Sequence, residues 1–577
     1  MSNYHSFSRY QRKFFDADAD DFSIIGNGSI GAKAKGLAFI KKHLLEKNEI
    51  KEFTDFVVNI PRLVVIATDF FDEFMVLNNL YDVVYSDDSD TYIAHKFQKA
   101  ELPVNLVGDL RSIVSNLSTP LAVRSSSLFE DAVDEPFAGI YATKMISNNQ
   151  LDEDTRFKRL IEAVKLVYAS TFFKKAKDYM ASVYKRPKDE KMAVIIQEVV
   201  GNRYGDKFYP MISGVARSYN FYTTGKSKPE EGVVNLALGL GKTIVDGSVS
   251  WTFSPAYPNV SPPFSSIRAL MDNTQRKFWA VNMSKSCLYD PVSEEEYMVH
   301  TDINEAEIDG TLDLVCSTYD AGSDRIKPGI SINGPRIINF NPILDLNIIS
   351  LNPLIKKLLK VSEEALEAAV EIEFAVNISD DRKILPRFGF LQVRPMTVTN
   401  ETVNIEEHEF TESLFNSNFV LGNGVVDFLD DVVFLKPEVF DIARSKDIAL
   451  ELESINKIMK TENRKYLLVG FGRWGSSDEW LGIPVEWAQI SNAKVIIEAM
   501  LPNFNVELSQ GSHFFHNINS FQVLYFSIKS DRVENIDWSW TLDSETKHEL
   551  TFTKHIKLKK PLIIKVDGRI AKGVILK

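Results

Sequence analysis

Arg124 follows an apolar run, Leu121-Ala122-Val123, and is itself followed by Ser125, Ser126 and Ser127. A guanidinium offers a planar fork of donors that matches phosphate or carboxylate oxygens, and neighbouring hydroxyls can add further bonds. The same residues equally suit a plain turn in which Arg124 pairs with Glu130 or Asp131. A second set lies in two β-patterned runs, EIEFAV (371–376) and GFLQVRPM (389–396), separated by a charged turn. Side chains alternate along a strand, so Glu371 and Glu373 share one face, as do Gln392 and Arg394, while Ile372, Phe374, Leu391 and Val393 take the other. Paired as an antiparallel hairpin, the runs put carboxylate, amide oxygen and guanidinium on one surface. That donor set suits a magnesium ion with a triphosphate; a solvated strand face with a cross-strand Glu–Arg pair is the plainer alternative.

Lys33 stands in GAKAKGL (31–37), where glycines permit close backbone approach and a following helix N-terminus favours anions. The spacing is neither G-x-x-x-x-G-K-[ST] nor G-x-G-x-x-G, so it supports neither a P-loop nor a dinucleotide fold. Near the C-terminus, a buried run at Tyr466–Val469 enters a Gly-Arg-Trp-Gly-Ser-Ser turn, which reads as an anion site or as a turn packed around Trp474 and Trp480. His513 and His516 lie in QGSHFFH and are the candidates for phosphate acceptor or general base; a hydrogen-bonded structural histidine is the alternative reading.

The elements that must position these residues change type along the chain. AKAKGLAFIKKHLLE has helical spacing of Leu37, Ile40, Leu44 and Leu45, and LVVIAT after Pro61 reads as a strand leading to a helix capped by Thr68 or Asp69. Residues 155–185 read as helical, and MAVIIQEVV, PMISGVARSY and GVVNLALGL as strands. Ser362 precedes EEALEAAVEI, which reads as a helix with acidic residues in its first turn. Thr397–Phe410 is polar and acidic without apolar period, and LKKPLIIKVDGRIAKGVILK reads as a terminal hairpin.

With 577 residues, 44% of them hydrophobic and 25% charged, the chain needs several cores and has the composition of a globular protein. A net charge of −13 argues against a nucleic-acid partner. The two cysteines, Cys287 and Cys316, lack metal-ligand spacing and read as reduced thiols. Neither a signal peptide nor a membrane span is expected, which implies a cytoplasmic protein.

GAKAKGL (31–37), VRSSSLFED (123–131), FAG (137–139), IIQEVV (195–200), SGVA (213–216), ALGLG (237–241), IEFA (372–375) and LQVRP (391–395) resemble, in order and spacing, the nucleotide-binding domain of pyruvate phosphate dikinase and phosphoenolpyruvate synthase. The resemblance covers about residues 20–398 and implies an α/β (α+β) ATP-grasp module of two lobes, about 20–190 and 191–398, within a domain spanning 1–398. A linker at 399–410 and a separate C-terminal α/β domain at 411–577 follow. The resemblance further implies that Lys33, Arg124 and Arg394 contact ATP phosphates, that Glu373 and Gln392 ligate Mg²⁺, and that Gln197, Glu198 and Val200 line the adenine pocket. Arg124, Arg394 and His513 are then the catalytic candidates. The chain departs from the family at Ala32, Ile140 and Lys242, where relatives carry glycine, glutamine and, usually, glutamate. The family's swivelling histidine domain and pyruvate-binding barrel have no counterpart in the residues that remain. The implied function is an ATP-dependent phosphotransferase whose acceptor is a protein histidine, a small molecule or water; the alternative is a non-catalytic ATP-binding sensor or scaffold.

Overall fold

The computed structural model describes residues 8–12, 22–45, 50–130, 139–183, 185–221, 226–260, 266–284, 288–379, 381, 383–398, 403–476, 480–500, 518, 521–528 and 544–577. His513, His516 and Cys287 lie outside these residues. Among the described residues the fold is mixed α/β, built on two six-stranded sheets, two smaller sheets, a nine-stranded C-terminal sheet and a two-stranded pair.

The first sheet runs Ser8–Arg9, Phe22–Ile25, Leu63–Ile66, Met192–Glu198, Leu121–Ser127 and Thr143–Ile146. The second runs Trp251–Phe253, Val233–Ala237, Ile212–Arg217, Val370–Asn377, Arg387–Pro395 and Val57–Asn59. The two sheets exchange strands across the expected division at residue 190. Met192–Glu198 is central in the first sheet, and Val57–Asn59 edges the second in parallel with Arg387–Pro395. Val64, Val65, Ile66, Val194 and Ile195 are fully buried, as the continuous β-branched runs require.

The helix Gly31–Ile40 joins the sheets. Its N-terminus sits so close to the first sheet that a Cβ at Gly31 (φ +74°) would lie 1.6 Å from the Ser126 carbonyl oxygen. Thr68 and Asp69, expected as helix caps, work differently: the helix Thr68–Leu77 starts at Thr68 after an Ala67 that gives no side-chain cap. Thr68 Oγ1 instead accepts from Ser29 N (3.0 Å) and Asp69 Oδ2 from Asn27 N (2.8 Å), which pins the glycine-rich turn.

The helix placed after Ser362 begins and ends earlier than expected. It spans Leu351–Leu366, with Leu351, Leu354, Ile355, Leu358 and Leu359 buried at helical spacing. Glu367 adopts a left-handed conformation (φ +53°) and the chain enters the strand at Val370, because that segment pairs on both sides in the second sheet.

The C-terminal sheet contains four parallel neighbours, Asn423–Leu435, Tyr466–Phe471, Ala493–Ala499 and Leu524–Ile528. The helix Ser445–Thr461 connects the first two, burying Ile448, Leu452, Ile455 and Met459. Thr553–Asp567 and Lys572–Leu576 form the terminal antiparallel hairpin. The stretch read as a linker ends in a short helix, Glu407–Glu412. Trp474 is completely buried, whereas Trp480 is exposed.

Candidate functional site

The strand pair read from residues 371–395 is present in the register its alternation demands: Glu371 opposes Arg394 and Glu373 opposes Gln392. Ile372, Phe374 and Val393 are buried on the far face. A bulge between Glu373 and Phe374 breaks the strict alternation, and Leu391 turns toward the cleft rather than the core.

Arg124 lies at the middle of the strand Leu121–Ser127, which continues through the three serines, and its side chain reaches this hairpin. Its Nη2 donates to Gln392 Oε1 (2.8 Å) and lies 3.5 Å from Glu373 Oε2; its Nη1 donates to the Leu391 carbonyl (3.1 Å) and Gln197 Oε1 (3.3 Å). One guanidinium therefore ties the first sheet to the second, and Glu130 is not its partner. Glu130, 1% exposed, is held instead by Lys33 Nζ (2.8 Å), Ser125 Oγ (2.8 Å) and Ser127 N (2.9 Å). Lys33 Nζ also donates to Ser125 Oγ (3.2 Å), and Ser126 Oγ accepts from Ala34 N (3.1 Å) in the first turn of the Lys33 helix.

Arg394 has a more constrained setting than its face suggests. Its Nε donates to Glu371 Oε1 (2.8 Å), and Arg217 Nε donates to the other oxygen of the same carboxylate (2.6 Å). Arg394 thus satisfies the cross-strand pair anticipated as the plainer alternative while still lining the cleft. The Gln197 side chain also donates from Nε2 to the Pro61 carbonyl (3.4 Å). The Glu198 carboxylate accepts from Thr119 Oγ1 (2.6 Å) and neighbours Arg62 Nη1 (3.5 Å).

All of Lys33, Arg124, Gln197, Glu198, Val200, Glu373, Gln392 and Arg394 border one cavity of about 700 Å³. That volume falls within the usual range for small-molecule pockets, ~300–1,000 Å³. Met145, Val199, Val200, Leu240 and Leu391 give it an apolar stretch. Among the described residues no cluster of three or more His, Cys, Asp or Glu forms a metal cage. Glu373 and Gln392, facing one another across the hairpin, nevertheless offer two hard oxygens. That is the protein share a magnesium ion needs when phosphate and water complete its octahedron.

Lys242, marked by the sequence as a departure from the family pattern, lines the cavity, and Tyr141, Asp246 and Glu294 line it without any local signal. Lys242 lies 3.0 Å from Asp246 and 3.3 Å from Glu295; burial opposes its charge, but these carboxylates outweigh it and leave the ammonium above its usual range. Burial pushes the Asp246 and Glu294 carboxyls up. Tyr141 donates to Glu190 Oε2 (2.6 Å), whose other oxygen accepts from Leu128 N (3.1 Å). Burial pushes the Glu190 carboxyl up to about 7. Gly475, Ser476 and Pro484–Ala488, from the segment between the strands Tyr466–Phe471 and Ala493–Ala499, also reach the cavity. Gly475 and Ser476 belong to the Gly-Arg-Trp-Gly-Ser-Ser turn that the sequence singles out as an anion site or a packed turn, and Pro484–Ala488 lie beyond it.

Comparison with individual curated proteins gives no match. The profile of the pyruvate phosphate dikinase AMP/ATP-binding domain matches residues 27–413, two thirds of the chain. The cleft residues up to Arg394 fall inside that match, and the chain belongs to the family of the pyruvate phosphate dikinase AMP/ATP-binding domain.

Proposed function

We propose that the protein is an Mg-ATP-dependent phosphotransferase whose nucleotide-binding domain spans residues 1–398 and whose C-terminal domain spans 411–577. The observation that carries this reading is the convergence of Lys33, Arg124, Glu373, Gln392 and Arg394, drawn from three separate segments, on one cavity. The apolar stretch around Val199, Val200 and Leu391 suits adenine, and Lys33, Arg124 and Arg394 neutralise the phosphates. Glu373 and Gln392 would hold the magnesium ion, which when bound draws charge from the phosphate oxygens.

In the transfer, the bond from the moving phosphorus to the nucleotide's bridging oxygen breaks. A bond to an acceptor oxygen or nitrogen forms, and the acceptor's proton leaves to solvent or a nearby base. Lys33 and Arg124 hold charge that builds on the phosphoryl oxygens, and their fixed partners Glu130 and Gln392 mean that little reorganisation is needed. His513 is a proposed acceptor outside the described residues.

A non-catalytic ATP sensor is the second reading, and Lys242 favours it, because its ammonium is already engaged by Asp246 and Glu295 where relatives usually carry glutamate. Following Mg-ATP by phosphorus NMR separates the two. ADP or AMP accumulating with the wild type and not with Arg124→Ala supports transfer. Tight Mg-ATP binding without consumption supports the sensor, and absence of binding removes both.

A further inference from the structure

Three charged side chains stand directly opposite one another on neighbouring strands of the second sheet: Arg217 opposes Glu371, and Glu371 opposes Arg394. Opposed residues share a face and lie about 4.5–5.5 Å apart at Cβ, so the row reads plus, minus, plus across three strands. All three residues are buried, Glu371 at only 2% exposed. Arg394 takes one carboxylate oxygen: its Nε donates to Glu371 Oε1 (2.8 Å), and its Nη2 donates to the same atom. Arg217 takes the other, donating from Nε to Glu371 Oε2 (2.6 Å). Of this row, Arg394 borders the cavity.

Arg217 is itself fixed from behind. Its Nη1 donates to Asn235 Oδ1 (3.3 Å) on the next strand, and Asn235 Nδ2 donates to Thr252 Oγ1 (2.7 Å) on the strand beyond. Ser218, the next residue along, donates from its backbone to the Val370 carbonyl (2.9 Å), and its hydroxyl accepts from Val370 N (2.8 Å). That double link holds the end of the Arg217 strand beside Glu371.

A guanidinium grips a carboxylate best through both oxygens. With Arg217 on Oε2, the two-oxygen grip is closed to Arg394, which meets Oε1 alone. Arg217 also lowers the cost of moving Arg394. A buried carboxylate that loses its cation is expensive, whereas Glu371 keeps Arg217 when Arg394 turns toward an anion in the cavity.

We propose that Arg217 is a positioning residue: by holding Oε2 of Glu371, it keeps Arg394 available to the phosphates of a nucleotide bound in the cavity. The inference rests on the nucleotide reading above and goes beyond it by naming the residue that sets Arg394 from two strands away. A row that served stability alone would not distinguish a phosphorylated ligand from an unphosphorylated one.

The test is calorimetry on the full chain with Mg-ATP and with adenosine, which carries base and sugar without phosphate. Arg217→Met is expected to weaken Mg-ATP binding ~10-fold, because Arg394 closes onto both oxygens of Glu371. Adenosine affinity should stay within about twofold, which also reports that the variant is folded. Arg217→Lys should recover part of the loss, since an ammonium can hold Oε2 but cannot also span to Asn235. In a Glu371→Gln background, adding Arg217→Met should cost less than about twofold in Mg-ATP affinity, because the carboxylate through which Arg217 acts is gone. Equal losses for Mg-ATP and adenosine, unchanged Mg-ATP affinity in Arg217→Met, or a further ~10-fold loss in the Glu371→Gln background would overturn the proposal. A wild type that binds neither ligand would instead overturn the nucleotide reading, so the two failures are distinct.

Discussion

Arg124 is the residue on which the cleft turns, because its guanidinium reaches Gln197 in its own sheet and Leu391, Gln392 and Glu373 in the other. Hydrogen bonds to charged groups contribute about 1.5–3 kcal/mol each. Arg124→Ala should therefore weaken Mg-ATP binding about 10- to 100-fold by calorimetry. Arg124→Lys should recover only part of that, since a point charge cannot span four acceptors. Glu190 makes a different kind of prediction. Its carboxyl, 2% exposed and pushed by burial from 4.5 up to about 7, binds a proton more tightly in the folded than in the unfolded chain. Stability then falls as pH rises from about 4.5 to about 7, by up to about 3 kcal/mol, and is flat on either side for this group. Glu190→Gln removes the titration, so its denaturation midpoint should show a shallower decline than the wild type between pH 5 and 7. A parallel decline in both would remove Glu190 as its source.

At the scale of elements, the site depends on how closely the helix Gly31–Ile40 docks on the strand Leu121–Ser127. Gly31→Val places a β-branched residue at φ +74° with its Cβ on the Ser126 carbonyl, so the helix must retreat and take Lys33 away from Glu130. A residue forced into sparsely populated backbone space costs about 1–3 kcal/mol. The variant should melt lower and gain less thermal stability from Mg-ATP than the wild type; an unchanged gain would show that the docking does not set the site. The hairpin at 370–395 was legible because period-2 alternation is a local signal, and Lys33 and Arg124 because glycine and serine flanked them. What stayed hidden were partners far along the chain. Arg217 is 154 residues from Glu371, and Glu486 precedes the short helix Trp487–Ile490 far along the chain, so no local pattern joins them to the cleft. The misplaced helix after Ser362 has the same origin: EEALEAA favours a helix, but two neighbouring strands claim the chain from Val370 onward.

The whole molecule is held together more tightly than two domains on a tether. One continuous apolar core joins Val64, Phe74 and Tyr179 near the first sheet to Leu452, Val469 and Phe526 around the C-terminal sheet. Burial of that kind stabilises by about 25 cal/mol per Å² of apolar surface, so the contact is not a loose one. Polar links are fewer: Lys460 Nζ donates to the Ala181 carbonyl (3.2 Å), and the exposed Lys174–Glu453 pair (3.5 Å) adds little. Arg473 differs from both, since its Nη1 donates to the Gly247 carbonyl (2.9 Å) and the residue is only 7% exposed. Arg473→Met keeps the aliphatic stem in the core and loses the bridge, so the protein should fold and bind Mg-ATP with an affinity within about threefold of the wild type. Its turnover should fall by roughly 10-fold or more, because the neighbouring Gly475 and Ser476 border the same cavity as the phosphate-binding residues and a shift there misaligns the reacting groups. Steady-state rates beside calorimetric affinities check this: equal losses in both would mean that Arg473 supports nucleotide binding itself, and no loss in either would detach Gly475 and Ser476 from the chemistry.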